Sequence, residues 1–124
     1  MARTVMIVED ADMCSTVLEI ALLGVPGISI QSATSAEEAL AYLDQRDICA
    51  LITDLHLPQM DGFELIERVR QRPDHARLPI VVISGDTDPR TPERVQRLGA
   101  NAFFAKPYSP GEVRQKLEQL IHGS

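Results

Sequence analysis

The stretch 49-CALITDLHLPQMDGFELIERVRQR-72 decides the fold. Residues 49–53 are apolar or β-branched without polar alternation, the mark of a strand covered on both faces. A loop of turn formers follows, shaped by Pro58 and Gly62. Asp61 is placed to cap the next element. Residues 63–72 read as a helix that stops before Pro73, because the residue preceding a proline is pushed out of the helical region. Strand, loop and helix make one βα unit.

The unit repeats in both directions. Upstream, 5-VMIV-8 reads as a strand and 12-DMCSTVLEIALLG-24 as a helix with Gly24 as its stop. Then 28-ISIQSA-33 is a strand, and Ser35 opens a helix over 36-AEEALAYLDQ-45 with Glu38 placed for a capping box. Downstream, 79-PIVVIS-84 is a β-branched strand. The segment 92-PERVQRLG-99 is a short helix, with Thr91 as cap and Pro92 at the first helical position. Next come a strand, 102-AFFA-105, and a last helix, 110-PGEVRQKLEQLI-121. Five βα units predict an α/β fold, a five-stranded parallel sheet doubly wound by helices, as one domain over 1–124.

Composition narrows the function. With 124 residues and 44% hydrophobic content a single core can be built, and with no Trp and 4% aromatic residues it must be aliphatic. Twelve basic against 18 acidic residues give a net charge of −6, which excludes the basic face of a non-specific nucleic-acid binder. Cys14 and Cys49 have no neighbours at metal-ligand spacing and read as free thiols in a reducing cytosol. The start, MARTVMIVED, lacks the pattern of a signal peptide, and no apolar run approaches the roughly 20 residues that span a bilayer. The expected location is cytoplasmic.

Ligands of such sheets bind at the carboxyl ends of the strands. The first strand delivers Glu9 and Asp10, the third Asp54, the fourth Ser84, and the fifth runs into Lys106-Pro107. Alone, each is ordinary: Asp after a strand is turn chemistry, and a lone Lys is usually solvated. Together, three acids and one lysine leave a charge of about −2 at one sheet edge. A hard divalent cation held by oxygen ligands balances it, and Mg2+ suits such donors far better than zinc does.

With 9-ED-10, 54-DLHLPQMDG-62, 84-SG-85 and 106-KP-107 in this order and spacing, the chain resembles the receiver domain of two-component response regulators over essentially its full length. The resemblance implies a flavodoxin-like (βα)5 fold, doubly wound, with strand order 2-1-3-4-5. It implies Asp54 as phosphoacceptor, and Mg2+ held by Asp10 and Asp54, with Glu9 acting through water and the carbonyl of His56 as a further ligand. Ser84 is implied as the hydroxyl that bonds the phosphoryl group, Lys106 as its ammonium partner, Phe103 as a switch residue, and Lys106–Pro107 as a cis peptide. The chemistry agrees: a carboxylate is a weak nucleophile, but Mg2+ and Lys neutralise the charge of an incoming phosphoryl group.

The expected function is that of a phosphorelay switch rather than an enzyme. It would take phosphate from a histidine kinase or histidine phosphotransfer protein and hand a changed surface to a downstream protein, as a monomer or weak homodimer. No output domain is expected in this chain after the last helix, at 122-HGS-124, which is read as a stand-alone receiver or a piece of a larger regulator. Two rivals stand against this reading. An aspartyl-phosphate phosphatase of the haloacid dehalogenase type wants an Asp two residues after the nucleophile, where this chain has His56. A flavodoxin-like cofactor module wants a phosphate loop after the first strand, where 9-EDAD-12 repels phosphate. The first helix adds a partner surface. Its stripe Cys14, Val17, Leu18, Ala21 and Leu22 covers the sheet, while Met13, Ile20 and Leu23 form a second apolar line, expected as the docking face for the histidine-bearing partner.

Overall fold

The computed structural model describes residues 3–9, 18–45 and 47–122. The apolar runs form strands β1 (Arg3–Val8), β2 (Ile28–Ala33), β3 (Ile48–Asp54), β4 (Ile80–Ser84) and β5 (Ala102–Ala105). Between them lie helical residues 18–22 (α1) and helices α2 (Ala36–Gln45), α3 (Gly62–Arg70), α4 (Thr91–Leu98) and α5 (Pro110–His122). All neighbouring strands pair parallel, in the order β2-β1-β3-β4-β5. The expected strand order and fold class are both observed. Of the first helix expected over 12–24, residues 12–17 lie outside the described residues.

Right-handed crossovers fix the layers. The chain steps one way from β1 to β2 and the other way from β2 through β5, so the helix faces divide. On one face Met6, Val8, Leu51 and Val82 pack with Ala39 and Leu43 of α2, Leu65, Ile66 and Val69 of α3, and Val95 of α4. On the other, Val5, Ile7, Ile52, Val81 and Ile83 pack with Leu18 and Leu22 of α1 and Val113 and Leu117 of α5. Residues 5–8 of β1, 50–54 of β3 and all of β4 are buried, which is why their sequences run apolar without alternation. Strand order reverses at β1, so a crevice opens between the carboxyl ends of β1 and β3. Among the described residues no helix is long and apolar enough to cross a membrane.

Local signals account for the helix starts. The Ser35 hydroxyl accepts the Glu38 N–H at 3.1 Å, and the Glu38 carboxylate accepts the N–H of Thr34, one residue beyond the usual box. Asp61 accepts the Glu64 N–H at 2.9 Å and caps α3 as expected. Helix α3 ends at Arg70, two residues early, and Pro73 opens a 3-10 turn over Pro73–His75 that the sequence reading did not anticipate. Thr91 is not the cap of α4 but its first residue, with Arg90 flanking it and making no side-chain cap. The preceding loop explains the shift. Ser84 Oγ accepts the Asp86 N–H, Asp86 Oδ1 that of Asp88, and Asp88 Oδ1 that of Arg90, at 2.8–3.0 Å. The Asp88 carbonyl then takes the Thr91 N–H at 3.1 Å, which leaves Thr91 free to turn inward, where it is buried.

Candidate functional site

Register gathers the strand ends. Val8 lies opposite Thr53, Asp54 opposite Ile83, and Ser84 opposite Ala105, so Glu9, Asp54, Ser84 and Lys106 follow one edge of the sheet. Glu9 and Asp54 are 3% and 4% exposed. Asp54 Oδ1 accepts the backbone N–H groups of Leu55 at 2.6 Å and His56 at 3.2 Å. Lys106 Nζ donates to Asp54 Oδ2 at 2.7 Å and to Glu9 Oε1 at 2.8 Å. One ammonium thus bridges two buried carboxylates. Burial draws the Lys106 ammonium down, but its hydrogen bonds to Asp54 and Glu9, with their charges, outweigh burial and hold it well above the ordinary lysine value.

Glu9 Oε2 is buried and has no hydrogen-bond partner among the described residues. A buried carboxylate oxygen without a donor carries a desolvation cost, and a hard cation is the natural partner of such an oxygen. The donor set therefore fits the expected Mg2+. Asp10, the further carboxylate expected there, lies outside the described residues. Among the described residues no group of three His, Cys, Asp or Glu side chains could hold a metal ion.

Of the remaining expected positions, His56 and Ser84 are bonded through their backbone to Asp54 and Lys106. Ser84 is fully buried, and its carbonyl accepts the Lys106 N–H at 2.8 Å. The Lys106–Pro107 peptide is cis, as expected. His56 is exposed, with Nε2 3.9 Å from Asp86 Oδ2. Phe103 is half-buried and, with Pro92, Val95 and Gln96, lines a cavity of about 230 Å3 between α4 and β5. Ile20 and Leu23 are each 66% exposed, and Met13 lies outside the described residues.

The family profile of the response regulator receiver domain matches residues 5–118. This chain belongs to the response regulator receiver domain family. The receiver is 35% identical to a putative response regulator from Chloroflexus aurantiacus whose crystal structure superposes with a TM-score of 0.91, covering 98% of both chains. It is 30% identical to the rice two-component response regulator ORR3 over 94% of this chain and 89% of the relative. The Mn(2+)-bound form of response regulator Rcp1, 21% identical, shares the fold at a TM-score of 0.85, over 98% of this chain and 96% of that one. The receiver spans 71% of one curated relative's length and only 13% of another's.

Sequence reasoning missed two features of the receiver. The first is Lys106 bonding Glu9 as well as Asp54, since nothing in the spacing says which carboxylate an ammonium reaches. The second is the pair of backbone N–H groups on Asp54 Oδ1. The signal for that pair was present: an Asp that closes a strand bonds the N–H groups just ahead of it. The turn chemistry and the functional reading describe the same carboxylate.

Proposed function

We propose that Asp54 is the phosphoacceptor of this receiver and that the whole described chain works as one phosphorelay switch. The observation that carries this reading is the Asp54 carboxylate, buried at the strand-order switch point and held by Lys106 and two backbone N–H groups. An Asp54 oxygen attacks the phosphorus of a phosphohistidine. The new O–P bond forms as the P–N bond breaks, and its electron pair leaves on the imidazole nitrogen of the partner. Lys106 neutralises charge on the transferring group as a point charge on a flexible stem. The Ser84 hydroxyl accepts from the Asp86 N–H, which leaves its proton to donate to a phosphoryl oxygen.

Mg2+ is proposed as the cation, held by Glu9, Asp10, Asp54 and the carbonyl of His56. Bound there, it would supply charge neutralisation to the phosphoryl oxygens. The unpartnered Glu9 Oε2 supports this, and the fold neighbour Rcp1 is a response regulator in its Mn(2+)-bound form. The donor is a histidine kinase or histidine phosphotransfer protein, docking on the exposed Ile20 and Leu23; Met13, the third residue of the expected docking face, lies outside the described residues. We place the protein in the cytoplasm, where a free thiol such as Cys49 persists. The added phosphate charge acts on the loop from Ser84 and on Phe103, and so on the surface offered to a downstream protein. Nothing favours the phosphatase alternative: the residue two after Asp54 is His56, beside Asp86.

Incubation with acetyl phosphate and Mg2+ tests the reading. One phosphoryl group should appear on Asp54, labile to hydroxylamine, and vanish in Asp54→Asn. Labelling that survives Asp54→Asn, or proceeds at full rate in a chelator, refutes it.

A further inference from the structure

Gly62, the first residue of α3, is buried against the backbone that carries Asp54. A Cβ at this position would lie 2.4 Å from the Asp54 carbonyl oxygen and 2.7 Å from Cα of Leu55. Both are backbone atoms, which cannot swing aside as a side-chain tip can. The Gly62 N–H also donates to the Leu55 carbonyl at 2.8 Å, closing the loop on itself beneath Asp54. The positive φ in this loop falls on Gln59, at 66°, and not on Gly62. What requires glycine here is close approach, not left-handed backbone.

Neither side of the contact can easily retreat. Asp54 closes a central strand, in register with Ile83, and Leu55 is fully buried. Opposite, α3 is seated by Leu65, Ile66 and Val69, all fully buried. Ordinary contact begins at 3.4 Å, so a Cβ at 2.4 Å demands a shift of about 1 Å. That shift reaches the carboxylate by a short path. The Asp54 carbonyl and the Leu55 N–H belong to one planar peptide unit, so moving the oxygen tilts the N–H. That N–H is the 2.6 Å donor to Asp54 Oδ1.

We infer that Gly62 is a positioning residue for Asp54: its missing Cβ lets α3 abut the Asp54–Leu55 peptide and keeps that peptide's N–H aimed at the carboxylate. The inference rests on reading Asp54 as the phosphoacceptor. A misplacement of about 1 Å costs on the order of 100-fold in rate. Labelling of Gly62→Ala by acetyl phosphate with Mg2+ should therefore slow by roughly 10- to 100-fold.

The experiment compares Gly62→Ala with Val69→Ala, which hollows the core under the same helix without pressing on Asp54, and with Asp54→Asn. Labelling rates are measured along with the amide NMR shifts of Leu55 and His56 in a chelator. Slow labelling and displaced Leu55 and His56 amides in Gly62→Ala, with both near normal in Val69→Ala, support the inference. Normal labelling and unmoved amides in Gly62→Ala, with Asp54→Asn inert, overturn it alone. Equal losses in Gly62→Ala and Val69→Ala also overturn it, because the glycine then serves only packing. Labelling that persists in Asp54→Asn overturns the acceptor reading and this inference with it. Should Gly62→Ala fail to fold in buffer, it is measured in trimethylamine N-oxide, which favours burial. A chain still unfolded there overturns the positioning role.

Discussion

Replacing Lys106 by Met tests whether one ammonium balances two buried carboxylates. The lysine side chain is 24% exposed, while those of Glu9 and Asp54 are 0% and 6% exposed. Methionine keeps an unbranched apolar stem and deletes the charge. Asp54 retains its two backbone donors, but Glu9 Oε1 loses its bond and Oε2 already has none among the described residues. Removing one partner of a buried pair costs about 3–5 kcal/mol. The partly exposed ammonium and the remaining donors on Asp54 reduce this, to about 2–4 kcal/mol. Against a total stability of about 5–15 kcal/mol that is a large share. In urea, with EDTA and at neutral pH, the midpoint should fall by roughly 1–2 M for a slope of about 2 kcal/mol per M. Adding Glu9→Gln should recover part of the loss, since it removes the charge left without a donor. Millimolar Mg2+ should narrow the gap between Lys106→Met and wild type. A loss below about 0.5 kcal/mol, the range of ordinary surface changes, would refute the balancing role.

Two further outcomes are expected. Because Lys106 is held above its ordinary value of 10.5 in the folded chain, its stabilising effect is full below that pH and is lost as pH rises toward the folded value. In EDTA, wild type should therefore lose more urea resistance as pH rises above about 10.5 than Lys106→Met does, and parallel losses would remove Lys106 as the cause. Ile20→Glu should slow phosphotransfer from the histidine-bearing partner by at least about tenfold, a cost of about 1.4 kcal/mol, and leave acetyl phosphate labelling near normal. Equal loss of both reactions would assign Ile20 to the fold.

How far the sequence could be read depended on the range of the force involved. Strands β1, β3 and β4 were legible because burial on both faces leaves a continuous aliphatic run, a signal each segment carries alone. The caps at Ser35 and Asp61 were legible for the same reason, since donor and acceptor lie three residues apart. Thr91 is already helical and so is not the cap, a start set by the loop wound from Ser84 onward. The bond from Lys106 to Glu9 joins residues 97 apart, and whether it forms depends on the register of the strands between them.

The cluster itself follows from putting local and distant effects together. Three expected carboxylates at one edge had to be balanced, and the sequence could state that requirement without saying how it is met. Lys106 supplies the balance for two of them, bonding Glu9 and Asp54 at once. It leaves Glu9 Oε2 without a donor among the described residues. A buried carboxylate oxygen without a donor carries a desolvation cost. A cation that took this oxygen would relieve the cost and stabilise the folded chain, by more the further its concentration exceeds its dissociation constant.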